Sequence, residues 1–327
     1  MSLRLDRQAV FLAAINGAVL VAGAVLVGSG FLDIYNLQSM ASQVPELGLL
    51  ALGVMLAMIS GNGGIDLSGI ALANLAGIVA FAAASALVPV ADSPFLFSWV
   101  FAGLALAIGF AGGLLNGMII AYARLTPLIA TLGTQLVFTG LAISLTNGSA
   151  IGMGFIEPLD DFGNSPVLGV PLCFALFLAI AAILAFVLLY TRFGVQLMLL
   201  GSNAKAARYG GINEKRMLLV TYTICGVLAS VAGIIIASRN SSVKWDYGSS
   251  YVLIAILIAV LGGVKPEGGH GKVMCVLLAS TALQMLSSLF NFMNISNFFR
   301  DLAWGLLLLL LLASARVNFG VWLKSGR

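Results

Sequence analysis

The chain has 327 residues, of which 61% are hydrophobic and 9% are charged, and its mean hydropathy is +1.08. Because soluble domains contain about 45–50% apolar residues, this composition excludes a soluble globular protein and indicates an integral membrane protein. The net charge of +4 does not indicate nucleic-acid binding, since the basic residues lie at the ends of apolar segments and do not cluster with aromatic residues.

Apolar runs long enough to cross a bilayer recur along the whole chain. A hydrocarbon core of about 30 Å requires about 20 apolar residues in a helix, because lipid cannot bond an open backbone group. The sequence therefore predicts an all-α integral membrane protein with about ten transmembrane helices, in which residues 1–327 form a single domain. The predicted spans are 9–29, 38–60, 67–88, 97–122, 127–146, 171–190, 217–237, 249–264, 273–291 and 299–314.

The distribution of basic residues predicts the orientation of these spans. Lys and Arg are enriched in the cytoplasmic segments of membrane proteins. With the N-terminus in the cytoplasm, all but three of the 16 Lys and Arg residues fall on the cytoplasmic side, and the exceptions are Arg239, Lys244 and Arg300. An odd number of spans would invert the later segments and remove this bias, so the C-terminus is predicted to be cytoplasmic as well.

Two carboxylates lie in or beside the early apolar runs. Glu46 follows Pro45 inside the second span. A charge there is costly, so Glu46 is expected to face protein or a water-filled cavity, or else to snorkel to the outer interface. Asp66 stands at the start of the third span, where its carboxylate is expected to cap free backbone amides. The alternative is that Asp66 lines a path or gate.

A strip of small residues marks the fourth span. Gly109, Gly113 and Gly117 recur at four-residue spacing, which lets another helix backbone approach closely. We expect the approaching helix to belong to this chain. The alternative is an interface with another subunit.

The fourth and fifth spans carry the richest set of polar residues in the membrane. They are Asn116, Thr131, Thr134, Gln135 and Thr139. On the fifth span Thr131, Gln135 and Thr139 follow at four-residue intervals and Thr134 lies three residues after Thr131, so all four share one helix face. This neutral stripe suits a hydroxylated solute better than an ion, and we predict that it lines a substrate pathway. The alternative is that the threonines bond only their own helix backbone.

Two connectors are longer than the rest. The outer one, 147–170, is rich in Gly, Asp and Pro and is expected to contact an extracytoplasmic partner. The inner one, 191–216, is basic and predicts a cytosolic docking surface. Its basic residues are Arg192, Lys205, Arg208, Lys215 and Arg216, against the single acid Glu214.

The inner connector contains the signals of a short helix. Residues 204–208 are good helix formers, Asn203 is a suitable N-cap, and Gly210 with Gly211 supplies a stop. The sequence predicts a short helix lying along the membrane surface. The alternative is a solvated loop that only fixes the topology.

The Gly-rich stretch 262–271 is predicted to form a tight turn between two spans. It does not match a nucleotide-binding P-loop, because Pro266 stands where that motif has Gly and Val273 where it has Ser or Thr. The three cysteines and the single histidine show no metal-ligand spacing. We therefore expect no cofactor or metal in this chain, and any ATP to be bound by another subunit.

Four motifs along the chain carry a family resemblance. They are GGIDLS at 63–68, GLLNGMIIAYARLTPLIATLGTQLVFTGLA at 113–142, GSNAKAARYGGI at 201–212 and IAVLGGVKPEGGHGKV at 258–273. In their order and spacing the chain resembles permease subunits of the ribose, xylose and galactose type of ATP-binding-cassette importer. It departs from them at Tyr251 and Leu253, where members often carry an acid and a run of alanines, so the solute is left open.

The resemblance implies a set of partners and a location. These are a cytosolic ATP-binding-cassette ATPase, a periplasmic or surface substrate-binding protein, a second identical or related permease, and membrane lipid, in a bacterial inner membrane. It also implies that the inner connector supplies a coupling helix that sits in a groove of the ATPase. That role falls on Asn203, Ala206, Ala207, Tyr209, Gly211 and Ile212.

The function expected from this resemblance is ATP-driven import of a small neutral solute such as a monosaccharide, deoxysugar or polyol, without covalent chemistry. One rival is an ion-coupled secondary transporter, which needs ionisable residues at mid-membrane, and Glu46 is the candidate. The other rival is an intramembrane enzyme. It would need convergent acids, histidines or a metal set, which the sequence does not offer.

Overall fold

The computed structural model describes residues 7–316, and this part of the chain is mostly helical. The two termini, which the sequence places in the cytoplasm, lie outside the described residues. The α-helices are α1 Arg7–Leu26, α2 Ile34–Ile59, α3 Gly69–Leu87, α4 Pro94–Tyr122, α5 Pro127–Thr146, α6 Glu157–Asn164, α7 Leu172–Tyr190, α8 Arg192–Ser202, α9 Ala204–Tyr209, α10 Glu214–Asn240, α11 Tyr251–Leu261, α12 Val273–Phe292 and α13 Asn297–Arg316. The strands are β1 Ile151–Gly152, β2 Pro166–Val167, β3 Val170–Pro171 and β4 Ser242–Val243.

Within residues 7–316, eight helices are long and apolar enough to cross a membrane: α1, α2, α3, α4, α5, α7, α10 and α12. The predicted all-α membrane architecture is thereby confirmed. The helix α11 has 11 residues. At 1.5 Å per residue it is about 16 Å long, which is shorter than a bilayer core of about 30 Å. The total of about ten spans and the orientation of the bundle therefore remain predictions.

The helix α10 lies at the centre of the bundle, where it packs against α4, α2 and α3. Glycines on both sides bring the backbones of α10 and α4 together. A Cβ at Gly113 would lie 2.5 Å from the carbonyl oxygen of Tyr222, and one at Gly117 would lie 2.9 Å from the Cα of Leu219. The glycine strip of the fourth span thus faces a helix of the same chain.

The outer connector folds into α6 and three of the four short strands. Strand β1 pairs with β4, so that Ile151 lies opposite Val243, and β2 pairs with β3. The indole nitrogen of Trp245 donates to the carbonyl oxygen of Gly148 over 3.0 Å. These contacts fasten the outer connector to the segment between α10 and α11. We call this end of the bundle, with 147–171, 241–250 and 293–296, the acidic end.

The inner connector contains more helix than the sequence predicts. The expected short helix is present as α9, but α8 precedes it where the sequence indicated only a loop. Leu197 and Leu200 of α8 are buried, which explains why this segment packs on the bundle. The following helix, α10, begins at Glu214 and is longer at both ends than the predicted span 217–237. We call the opposite end of the bundle, with 60–68, 123–126, 191–213 and 262–272, the basic end.

Candidate functional site

The motifs that are distant in the sequence meet at the basic end through glycine backbones. A Cβ at Gly201 would lie 1.9 Å from the carbonyl oxygen of Ile59 and 2.5 Å from the amide nitrogen of Gly269. A Cβ at Gly268 would lie 2.5 Å from the Cα of Gly61. The Gly269 amide donates to the Ile59 carbonyl over 3.0 Å. The end of α8, the end of α2 and the turn before α12 therefore form one contact, which we call the glycine junction.

The stretch 262–271 is a turn, as predicted, and it owes its shape to glycines with positive φ. The φ angles are 78° at Gly263, 99° at Gly268 and 78° at Gly269. A side chain is disfavoured at such angles. In this turn Gly268 and Gly269 supply the surface that contacts Gly61 and α8.

The GGIDLS segment is held to α4 and α5 by buried hydrogen bonds. The Asp66 carboxylate accepts from the amide of Ser68 over 2.9 Å and from its hydroxyl over 2.7 Å. The amide of Asn116 donates to the Ser68 hydroxyl over 2.7 Å. Asp66 thus caps a free backbone amide, as predicted, but this amide lies in the turn before α3, which begins at Gly69. These bonds link Asp66, on the loop, to Asn116 of α4.

The polar stripe of α5 divides into two parts. The Thr131 hydroxyl accepts from the amide of Leu67 over 3.2 Å and lies 3.0 Å from the carbonyl oxygen of Ile65. Thr134 is buried and bonds within its own helix. Gln135 and Thr139 are half-buried at the edge of this face. Thr131 and Thr134 therefore form hydrogen bonds within the protein. The predicted contact with a solute in the pathway rests mainly on Gln135 and Thr139.

Helix α9 is short and fixed at both ends. The Asn203 side chain accepts from the amide of Ala206 over 3.0 Å, in the predicted N-cap role. At the other end the amide of Gly211 donates to Arg208 O and that of Ile212 donates to Ala207 O, each over 3.0 Å. Gly211 has a φ of 81°, which favours glycine at this stop.

The residues predicted to couple to an ATPase are exposed to different degrees. Tyr209, at the last position of α9, is 94% exposed, whereas Ala207 is 6% exposed and packs against the protein. Asn203, Ala206 and Gly211 are exposed, and Ile212 is half-buried. The side chain with the largest free surface among them is therefore that of Tyr209.

A basic cleft of about 520 Å³ opens beside α9. Arg124, Arg208 and Lys215 lie along it. Arg208 is paired with Glu214 over 3.3 Å, and the ammonium of Lys215 lies 5.1 Å from the ring centroid of Tyr122. The predicted basic docking surface is therefore continuous with the turn between α4 and α5.

Glu46 lies in a polar cluster near the acidic end that the sequence analysis did not identify. It is 1% exposed, so it faces protein and does not snorkel to the interface. The guanidinium of Arg239 donates to Glu46 Oε1, while the hydroxyls of Tyr247 and Tyr251 lie 3.0 Å and 3.3 Å from Oε2. The available signal for this pair was a lone acid inside one apolar run and a lone base just beyond the end of another. Arg239 was counted among the basic residues on the outer side, and no partner was predicted for it.

Comparisons with known proteins give matches over most of the chain. The family model described as "branched-chain amino acid transport system / permease component" matches residues 36–314. The chain is 33% identical over 299 residues to the ribose import permease protein RbsC of Escherichia coli K12, covering 89% of each protein. It is 33% identical over 303 residues to RbsC of Bacillus subtilis 168, covering 89% of this chain and 88% of the relative.

A third relative is named for a different solute. The chain is 32% identical over 303 residues to the autoinducer 2 import system permease protein LsrD of Klebsiella pneumoniae, covering 91% of this chain and 87% of the relative. No solved structure matches the chain. The match of the family model over most of the chain and the long alignments to import permeases show that this protein belongs to the permease-component family of ATP-binding-cassette importers.

Proposed function

We propose that this chain is one of two permease subunits that together form the pathway of an ATP-driven importer for a small neutral sugar-like solute in a bacterial inner membrane. The two groups of relatives are named for import of ribose and of autoinducer 2, which supports a small polar cargo. A monosaccharide, a deoxysugar and a polyol all fit this class. D-ribose is the first probe because two of the relatives are named for it.

The observation that carries the proposal is the capped helix α9 with Tyr209 exposed at its end. A membrane permease of this family works with a separate ATPase, and that ATPase needs a rigid and exposed binding surface on the permease. The Asn203 cap and the Gly211 stop hold α9 in one conformation, and Tyr209 presents a large amphipathic ring to the solvent. Exposed aromatic rings of this kind are frequent binding hot spots.

The glycine junction supplies a route from the ATPase to the transmembrane helices. A movement of α9 shifts α8, because the two helices are adjacent in the chain and in contact. At Gly201, α8 touches the end of α2 and the turn before α12 without intervening side chains. In this mechanism ATP binding changes the relative stability of inward-open and outward-open arrangements of these helices.

The ion-coupled alternative is less compatible with the polar residues inside the bundle. Secondary transporters use intramembrane ionisable groups that exchange ions with a water-filled path. Glu46 was the candidate, and its carboxylate is paired with Arg239 and two tyrosines. A carboxylate already paired with a guanidinium is poorly suited to bind and release a coupling cation.

The proposal is tested with the permease reconstituted together with its cognate ATPase and binding protein. We expect vanadate-sensitive uptake of D-ribose or another neutral solute of the class. Tyr209→Ala should weaken ATPase binding by about 1–2 kcal/mol, or about five- to thirtyfold, and lower uptake without changing thermal stability.

The matched control is Tyr35→Ala, since Tyr35 is 76% exposed but lies at the start of α2, at the opposite end. This control should retain ATPase binding and uptake. Uphill uptake by the permease alone, or full coupling in Tyr209→Ala, would contradict the proposal.

A further inference from the structure

A cleft of about 370 Å³ opens at the acidic end, and the proposed coupling to an ATPase gives it no role. It lies among the outer parts of α2, α11, α12 and α13. Its lining includes Gln43, Ser249, Tyr251, Gln284, Asp301 and Trp304. The volume falls within the range of about 300–1,000 Å³ that is usual for small-molecule sites.

Hydrogen bonds hold planar polar groups in place along this cleft. The Gln284 amide donates to Gln43 Oε1 over 3.0 Å, which joins α12 to α2. A guanidinium nitrogen of Arg300 donates to the Ser287 hydroxyl over 2.7 Å, which joins α13 to α12. Amide, guanidinium and hydroxyl groups offer both donors and acceptors to vicinal hydroxyls of a ligand.

Charge and aromatic character narrow the class of ligand. The charged residues that line the cleft are one base, Arg300, and one acid, Asp301, so their charges balance and favour a neutral ligand. Tyr251 and Trp304 add aromatic rings. Such rings bury the C–H faces of a polyol or sugar while the polar groups bind its hydroxyls.

Tyr251 borders both this cleft and a much smaller space deeper in the bundle. Its hydroxyl lies 3.3 Å from Glu46 Oε2. The inner void, of about 10 Å³, is also lined by Asp66 and Cys225. A space of this size holds about one water molecule and no solute. The side chain of Tyr251 therefore borders both a space large enough for a solute and a space too small for one.

We propose that the outer cleft is a receiving site for one neutral polyhydroxylated solute, closed on its inner side by Tyr251. This inference rests on the proposed function, since it assigns a first binding position to the solute that the permease transports. The solute enters from the acidic end, and a displacement of Tyr251 opens the way toward the void beside Asp66.

Protection from thiol labelling tests this site on the purified full-length permease in lipid nanodiscs. Cys173, Cys225 and Cys275 are buried, so an introduced surface cysteine can be labelled selectively. Ser249→Cys places a thiol on the exposed lining of the cleft, and Ser250→Cys provides a second position on it. The matched control is Ser149→Cys, which is exposed at the same end but outside the cleft.

The probes are D-ribose, D-xylose, D-galactose and sorbitol, with choline and gluconate as charged comparisons. We expect at least one neutral probe to slow the labelling of Ser249→Cys and Ser250→Cys. At about twice its Kd the rate should fall about threefold, because the fraction of empty sites is 1/(1 + [L]/Kd). Labelling of Ser149→Cys should not change, and Gln284→Leu should abolish the protection.

Equal slowing of labelling at the cleft and control positions overturns the proposal. So does the absence of slowing at both cleft positions with every neutral probe at about 100 mM, because a site with a Kd of about 1 mM would then be almost fully occupied. Protection by choline or gluconate as strong as that by the neutral probes overturns it as well. The labelling needs neither ATP nor an ATPase. Failure here is therefore distinct from failure of ATP-driven uptake, which is measured separately on the unmodified protein.

Discussion

Arg239, in the last turn of α10, donates a hydrogen bond to the carboxylate of Glu46 inside α2. The two residues are 193 positions apart in the chain, and Glu46 is almost completely buried. Tyr247 and Tyr251 complete the shell around the carboxylate. Because a buried charge without a partner is strongly disfavoured, these side chains stabilise one another as a group.

Removal of one member of this pair should destabilise the protein more than removal of both. We expect Glu46→Leu or Arg239→Leu alone to cost about 3–5 kcal/mol, since each leaves a largely buried charge without its partner, and the double variant to cost clearly less. Thermal unfolding in one detergent measures the three variants against the unmodified protein. Lys244→Ala serves as the control, because its pair with Asp246, at 3.0 Å, is partly exposed and should contribute at most about 1 kcal/mol. Additive effects in the double variant would contradict the coupling of the pair.

The glycine junction should not tolerate a methyl group at Gly201. In Gly201→Ala the new Cβ would meet the Ile59 carbonyl oxygen, so α8 must move away from α2. We expect a loss of about 1–3 kcal/mol in stability and reduced uptake. Gly210→Ala on the same connector is the control, because its nearest contact would be an ordinary 3.4 Å. Unfolding curves and uptake rates compare the two, and equal behaviour would rule out close packing at Gly201.

Substitutions in the buried and the half-buried parts of the α5 stripe should have different effects on stability and uptake. Thr131→Val removes the acceptor of the Leu67 amide, so we expect a cost of about 1–3 kcal/mol in the free energy of unfolding. Gln135→Leu is half-buried and should change stability by no more than about 0.5 kcal/mol. It should nevertheless lower uptake, because it removes hydrogen-bonding groups from the predicted pathway. Unchanged uptake in Gln135→Leu would remove this residue from that pathway.

The contact between α4 and α10 should depend on Gly113. In Gly113→Ala the Cβ would lie 2.5 Å from the Tyr222 carbonyl oxygen, and separation of the helices should cost about 1–3 kcal/mol. Gly133→Ala in α5 has no atom within 4 Å of the new Cβ. It should be neutral or stabilise by up to about 1 kcal/mol, because alanine favours the helix. The difference in melting temperature between the two variants is the measurement, and a melting temperature for Gly113→Ala equal to that of Gly133→Ala would exclude the close contact.

Local signals were sufficient for much of the fold. Long apolar runs located the eight membrane helices, because each run is a property of consecutive residues. The N-cap at Asn203 and the stop at Gly211 were also readable, since both depend on neighbours within a few positions. Helix α8 was missed because it is short and interrupted by glycine, and its helical state depends on burial of Leu197 and Leu200 against other segments.

Contacts between distant segments could not be derived in the same way. The sequence shows Gly61, Gly201 and Gly268 in three separate loops or ends, and nothing local indicates that their backbones touch. The partner of Glu46 was hidden for the same reason. The opposite charge of Arg239, just beyond the end of another apolar run, was a usable clue, but it required the two runs to be placed side by side.

Helix α10 joins the two ends of the molecule in a single unbroken element. Its first turn follows α9 after the short connection 210–213, and its last turn carries Arg239, the partner of Glu46. With 27 residues and no proline it is a stiff rod about 40 Å long. A tilt of about 5° imposed at one tip would displace the other by about 3.5 Å, enough to break a hydrogen bond. A movement of α10 at the basic end can therefore be transmitted directly to the acidic end, without a relay of separate side chains.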